Sequence, residues 1–285
     1  MTVRKAIGAA RQSRQSMAML IVLSPAKALD FTAAPASVPL TAPQMADHTA
    51  ELAKTTRKLR TVDLKRMMSL SDGLAKLNRE RFQAFQPDSE DGLQAAFAFN
   101  GDVYTGLKAR ELDKKALAWA QDRVRILSGL YGVLRPLDAI QPYRLEMGVR
   151  IKTRRGQSLY DFWGTRIAES LDAALVGHKD RTVVCCASQE YFGAVDRAAL
   201  KAPVIATRFL EEKDGEARIL SFFAKRARGS MARYAIDNRI ERAADLRAFD
   251  VDGYRFQPSL STEDEFVFAR PQPPPVAQTR AKATS

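Results

Sequence analysis

Ten side chains able to carry a proton, a nucleophile or a strong hydrogen bond sit in short blocks of this 285-residue chain. They are Ser24 and Lys27, Asp102 and Tyr104, Ser128 and Tyr131, Tyr143 and Glu146, and Ser188 and Glu190. Serine with lysine is a pairing from which an activated nucleophile can be made, and two carboxylates can divide acid and base work. A binder of phosphate backbone needs cations and has no use for tyrosines and carboxylates beside them. An enzyme acting on a nucleotide, or on a base within nucleic acid, is therefore one reading. No recognised catalytic signature accompanies these residues, and each taken singly is more simply a hydrogen-bonded group of a polar core. His48 and His178 stand apart, with no Glu-x-x-His pattern or cysteine cluster at ligand spacing. No metal site and no cofactor are expected, and direct iron binding ranks low.

Charge supplies the second kind of chemistry. Lys+Arg number 45 against 33 Asp+Glu, a formal charge of +12. Residues 1–18 carry four of these charges and residues 271–285 two, which leaves +6 on the body. Within it, residues 123–155 hold eight basic side chains and two acids, and residues 225–242 hold six against two. These two segments total +10, so the rest of the body is at −4: the positive charge is segregated. Lys27, Arg135, Arg144, Lys225, Arg226 and Arg228 are the candidate nucleic-acid-binding residues, from this segregation and from the blocks that carry the family resemblance; the arginine enrichment favours phosphate because guanidinium forks match it bidentately. A solvated helical face is the plainer reading of the same residues. Glycines at Gly129, Gly132 and Gly229 would let backbone N–H groups approach a phosphate. The run Gly129-Leu130-Tyr131-Gly132 compares loosely with the turn of helix-hairpin-helix DNA-binding units, with a tight strand-to-helix turn as the better alternative.

The elements that must position these groups alternate between strand and helix. Leu20–Leu23 and residues 124–127, 182–187, 204–209, 217–220 and 265–268 are short apolar or β-branched runs that read as strands. Residues 42–85 carry apolar side chains at helical spacing over several helices, residues 98–107 read as a loop leading to a helix at 110–120, and residues 158–176 form a further amphipathic helix. A late helix from Ser221 places Phe223, Ala227, Met231 and Tyr234 inward. The pattern predicts a single α/β domain with a mixed β-sheet and surrounding helices over residues 19–270. Residues 1–18 read as an N-terminal extension, disordered or from an over-long start, and residues 271–285 as a disordered Pro-rich tail. The apolar runs are far short of the roughly 20 residues that cross a bilayer, so no membrane span is expected, and two adjacent cysteines without a disulfide framework make the reducing cytoplasm the expected compartment. Cys185 and Cys186 are adjacent, too close for an unstrained disulfide, and read as small hydrophobes of a buried strand in preference to a redox sensor.

Taken in order, the blocks resemble the YaaA family, bacterial proteins linked to the peroxide stress response. They are Leu23-Ser24-Pro25-Ala26-Lys27; Gly101-Asp102-Val103-Tyr104; Ile126-Leu127-Ser128-Gly129-Leu130-Tyr131-Gly132 running on through Arg135-Pro136 and Asp138; Gln141-Pro142-Tyr143-Arg144-Leu145-Glu146; Leu159-Tyr160-Asp161-Phe162-Trp163; Glu190-Tyr191-Phe192; and Ala224-Lys225-Arg226-Ala227-Arg228-Gly229. The resemblance implies a YaaA-type single-domain α/β fold with a helix-hairpin-helix-like element. It also implies DNA as the partner, held without sequence readout in a basic cleft, and a role in limiting iron-linked oxidative damage. One block departs from the family pattern, which has Asn-Leu where this chain has Cys185-Cys186 before Ala187-Ser188. A thiol is a weak substitute for an amide in any hydrogen bond that the asparagine would make.

Overall fold

The computed structural model describes residues 19–32, 38–87, 89 and 91–274. The N-terminal extension lies outside the described residues, as does the tail from residue 275 onward.

In chain order the strands are β1 (Leu20–Leu23), β2 (Ala28–Leu29), β3 (Leu93–Gln94), β4 (Phe99–Asn100), β5 (Val124–Ser128), β6 (Gly132–Leu134), β7 (Ala139–Ile140), β8 (Val183–Cys186), β9 (Val204–Lys213), β10 (Glu216–Arg218), β11 (Arg255–Phe256) and β12 (Glu265–Pro271). The helices are α1 (Ala46–Thr56), α2 (Thr61–Met68), α3 (Asp72–Ala84), α4 (Ala95–Ala98), α5 (Asp102–Leu107), α6 (Lys114–Arg123), α7 (Leu159–Trp163), α8 (Arg166–Ala174), α9 (Gln189–Phe192) and α10 (Ser221–Asp237). Eight strands make one mixed sheet in the order β11-β12-β9-β8-β1-β5-β6, with β10 folded back on β9. The inner pairs β5–β1, β1–β8, β8–β9 and β9–β12 are parallel. The additions β6, β10 and β11 are antiparallel.

Composition explains which strands lie in the middle. A parallel strand covered on both faces can be apolar at every position, and β1 (Leu-Ile-Val-Leu) and β8 (Val-Val-Cys-Cys) are buried throughout. β5 is buried too but contains Arg125, whose guanidinium donates to the Gln121 and Val124 carbonyls. Burial pushes that guanidinium down to about 10. Arg125 and the buried Arg123, which lies over the Trp119 ring, are thus structural members of the basic segment.

Three local expectations come out differently. Residues 98–107 are not all loop: α5 starts at Asp102 and packs along α10. The approach is so close that a Cβ on Gly229 would stand 1.7 Å from the Val103 carbonyl oxygen, and one on Gly106 2.1 Å from that of Arg226. Gly229 therefore serves helix packing and offers no approach to a phosphate. Residues 129–132 join β5 to the antiparallel β6, pairing Ser128 with Gly132, so strands flank this turn where a helix-hairpin-helix would have helices. Gly132 occupies the left-handed region at φ +70 and a Cβ there would strike the Trp163 ring. Finally, Pro271 ends β12 and the Gln272 N–H donates to the Glu212 carbonyl, so the first residues of the Pro-rich segment are held by the sheet.

Candidate functional site

The chain leaves β1 for β5 on one side and later reaches β8 on the other side of β1. The carboxyl ends of β1 and β8 thus flank a topological switch point, where open α/β sheets leave a crevice. Ser24 follows β1 directly, and Ser188, two residues past β8, is the N-cap of α9, its Oγ accepting from the Tyr191 N–H. The two loops are tied together. The Ser188 N–H donates to Ser24 Oγ at 2.8 Å, and Ser24 Oγ donates to Ser188 Oγ at 3.3 Å.

Above this pair opens a cleft of about 430 Å³, walled by the loop at Ser24–Lys27, the start of α5 at Asp102, the turn at Ser188–Tyr191, and Lys225 and Arg228 of α10. Lys27 bonds Glu146 at 2.8 Å, and Glu146 also accepts from Arg144 at 2.9 Å. Glu190 accepts from the Gly148 N–H at 3.1 Å. Asp102, Lys225 and Arg228 have no hydrogen-bond or ion-pair partner among the described residues, and the Arg228 Nε is buried in that unpartnered state.

Of the ten chemistry-bearing side chains, Ser24, Lys27, Asp102, Ser188 and Glu190 line this cleft, and Glu146 reaches it through Lys27. The others support it from the core. Tyr104 donates to the Ser24 carbonyl at 3.1 Å, Tyr143 and Ser128 share a hydrogen bond of 2.6 Å, and Tyr131 accepts from the Gln141 N–H. Burial holds the phenols of Tyr104, Tyr131, Tyr143 and Tyr191 above the usual range, so these hydroxyls remain protonated donors and are unsuited to act as bases.

The six cations selected from the sequence divide into three groups. Lys27, Lys225 and Arg228 come together in the cleft, with Arg144 next to Lys27 through Glu146. Arg135 does not join them: its side chain and backbone N–H grip the fully buried Asp138, and it donates to the Ala42 carbonyl as well. Arg226 leaves α10 in another direction, toward Asp252 at 3.6 Å and a separate groove beside α5. One residue along a helix turns the side chain by about 100°, which parts Arg226 from Lys225 and Arg228.

A second groove, of about 590 Å³, brings together three cations that the sequence marked only as part of a basic block and two that it did not mark. Lys58 and Arg66 come from α1–α2 and the turn between them, and Arg150, Lys152 and Arg154 from the chain after Glu146, around an apolar floor that includes Leu59, Met67 and Ile151. None of the five is within ion-pair distance of a carboxylate among the described residues. The groove's acid, Asp63, is engaged by Arg60 at 2.9 Å. A signal for this was present: from Tyr143 to Lys152 alternate residues are buried, so Val149 and Ile151 face inward while Arg150 and Lys152 face out.

The family model described as peroxide stress protein YaaA matches residues 19–260. The chain belongs to the peroxide stress protein YaaA family. It is 75% identical over 264 residues to a UPF0246 protein of Phenylobacterium zucineum, covering 93% of this chain and 99% of that one. It is 66% identical over 255 residues to a UPF0246 protein of Caulobacter vibrioides, with 90% and 100% covered, and 55% identical over 255 residues to one of Maricaulis maris, with 90% and 97% covered. In this YaaA-family chain no group of three or more His, Cys, Asp or Glu side chains that could hold a metal occurs among the described residues. No helix among them is long and apolar enough to cross a membrane. Cys185 and Cys186 are buried, and burial pushes their thiols up to about 11 and about 12. Thiols held that far above neutrality are poor nucleophiles and poor sensors.

Proposed function

We propose that this YaaA-family chain binds nucleic acid through its phosphate backbone, without sequence readout, and in doing so limits iron-linked oxidative damage during peroxide stress. The observation that carries the reading is a set of five cations, Lys58, Arg66, Arg150, Lys152 and Arg154, around one groove, none of them paired with a carboxylate among the described residues. Side chains already engaged by carboxylates have counter-charges to lose before they meet a phosphate, whereas these exchange only mobile ions, and release of counterions from the nucleic acid drives association. The switch-point cleft is less suited to a polymer backbone because Asp102 and Glu190 stand among its cations. Affinity for duplex and single-stranded DNA measured across a salt series tests the proposal: a binding constant that does not fall with salt overturns it.

A second reading, chemistry on a nucleotide or a base, is favoured by a different observation. Carboxylates, hydroxyls and unpaired cations converge in the cleft between β1 and β8. Release of a modified or cleaved nucleotide from DNA or RNA incubated with the protein, lost in Asp102→Asn, is its test.

A further inference from the structure

The cleft at the β1–β8 switch point has a binding requirement of its own, separate from the groove. The Arg228 Nε is buried with no acceptor among the described residues, so its desolvation is uncompensated there. Lys225, three residues before it on α10, lines the same cleft and is also unpaired among the described residues. Opposite in charge, Asp102 at the start of α5 has no donor among the described residues, and Glu190 accepts among them only from the Gly148 N–H. Lys27 is already matched by Glu146.

We infer that this cleft binds a nucleoside monophosphate, with its phosphate on Arg228 and Lys225 and the hydroxyl and amino donors of its nucleoside on Asp102 and Glu190. Two cations without a partner among the described residues call for a dianion, and a guanidinium donates to phosphate oxygens in the bidentate geometry that makes such contacts strong. Inorganic phosphate alone would leave the carboxylates without donors and most of the roughly 430 Å³ unfilled. A monocarboxylic amino acid would satisfy Asp102 with its ammonium but match only one of the two cations, and glutamate, which could meet both, carries no base for the apolar wall. Val103 and the Tyr191 ring supply apolar surface for a base. The position agrees with the topology, since ligands of open parallel sheets bind at the carboxyl ends of strands where the strand order reverses. The same chemistry is presented by a free nucleotide and by the 5′-phosphorylated end of a strand.

The test is calorimetric titration of the full chain at low salt with AMP, GMP, CMP and UMP, and with adenosine, guanosine, ribose 5-phosphate, inorganic phosphate and glutamate as comparators. At least one nucleotide is expected to bind one to one, with its nucleoside about tenfold or more weaker, as loss of a charge-assisted pair implies. Arg228→Gln is expected to weaken the nucleotide by about the same factor. Asp102→Asn is expected to weaken the nucleotide and leave inorganic phosphate unchanged. Should Arg228→Gln fail to fold, Lys225→Ala, at an exposed position, gives the same reading with a loss of severalfold. The triple substitution Arg150→Ala, Lys152→Ala, Arg154→Ala is expected to leave nucleotide binding untouched, so failure of the groove proposal and failure of this one are told apart. A 5′-phosphorylated oligonucleotide that displaces the nucleotide supports a strand end as the source, and one that does not supports a free metabolite. Absence of saturable nucleotide binding below about 10 mM, equal affinity for nucleoside and nucleotide, tighter binding of glutamate, or nucleotide affinity unchanged in both cleft-cation variants overturns the inference.

Discussion

Removing Arg150, Lys152 and Arg154 together gives the sharpest test of the backbone-binding surface. If each of the five groove cations neutralises one phosphate of duplex DNA, the log–log slope of binding constant against salt is about −4.5, at about 0.9 per phosphate. Between 50 and 200 mM salt that slope lowers affinity about 500-fold. With only Lys58 and Arg66 left, the slope falls to about −1.8 and the same salt change costs about 12-fold. Fluorescence anisotropy with a labelled 20-base-pair duplex over four salt concentrations reads both values. A control removes the same charge elsewhere: Lys114→Ala, Lys115→Ala and Lys213→Ala replace exposed lysines outside the groove. If that control flattens the slope as much as the groove variant does, net charge and not the groove is responsible, and the reasoning fails. A groove variant with an undiminished slope refutes it equally.

Other outcomes follow from the packing. Arg135→Ala leaves the carboxylate of Asp138, fully buried, without its guanidinium, and should cost about 3–5 kcal/mol in urea denaturation while leaving the salt slope of DNA binding as it was. Gly229→Ala drives a Cβ into the Val103 carbonyl oxygen and should destabilise by about 2 kcal/mol or more, despite alanine's better helix propensity. Gly73→Ala in α3 meets nothing within 4 Å and should instead stabilise by up to about 1 kcal/mol. Cys185 and Cys186 hold their protons to about pH 11 and 12 when folded, against an ordinary value of 9. Between pH 9 and 11 the unfolded chain therefore binds fewer protons, and stability, undiminished below pH 9, should fall as pH rises, by up to about 1.4 kcal/mol per unit for each thiol. Denaturation at pH 8 and pH 10 should show that loss, and it should shrink in the double Cys→Ala variant.

The legible part of this fold is the part carried by continuous apolar runs. Leu20–Leu23, Val183–Cys186 and Val124–Ser128 are strands because each is a short stretch buried on both faces, and a run of that kind announces itself without knowledge of its neighbours. α10 is equally clear from its apolar spacing. α5 escaped because its six residues, Asp-Val-Tyr-Thr-Gly-Leu, contain a glycine and little helical period; contact with α10 stabilises the helix there, and that glycine is what lets α10 come close.

By itself the sequence determined the α/β class, the family and the segregation of positive charge, because composition, local periodicity and ordered blocks are properties of the chain taken in order. Partnership was decided only by tertiary structure. Lys225, Arg226 and Arg228 are near neighbours in sequence, yet two of them enter the switch-point cleft and the third turns to Asp252. Arg135 and Arg150 belong to one basic block, yet the first is bound to a buried carboxylate and the second meets none among the described residues. Whether a cation remains available to a ligand depends on which acids the fold brings within a few ångströms of it. Coulomb energy follows separation in space, and separation along the chain constrains that only within a helical turn or a pair of strands.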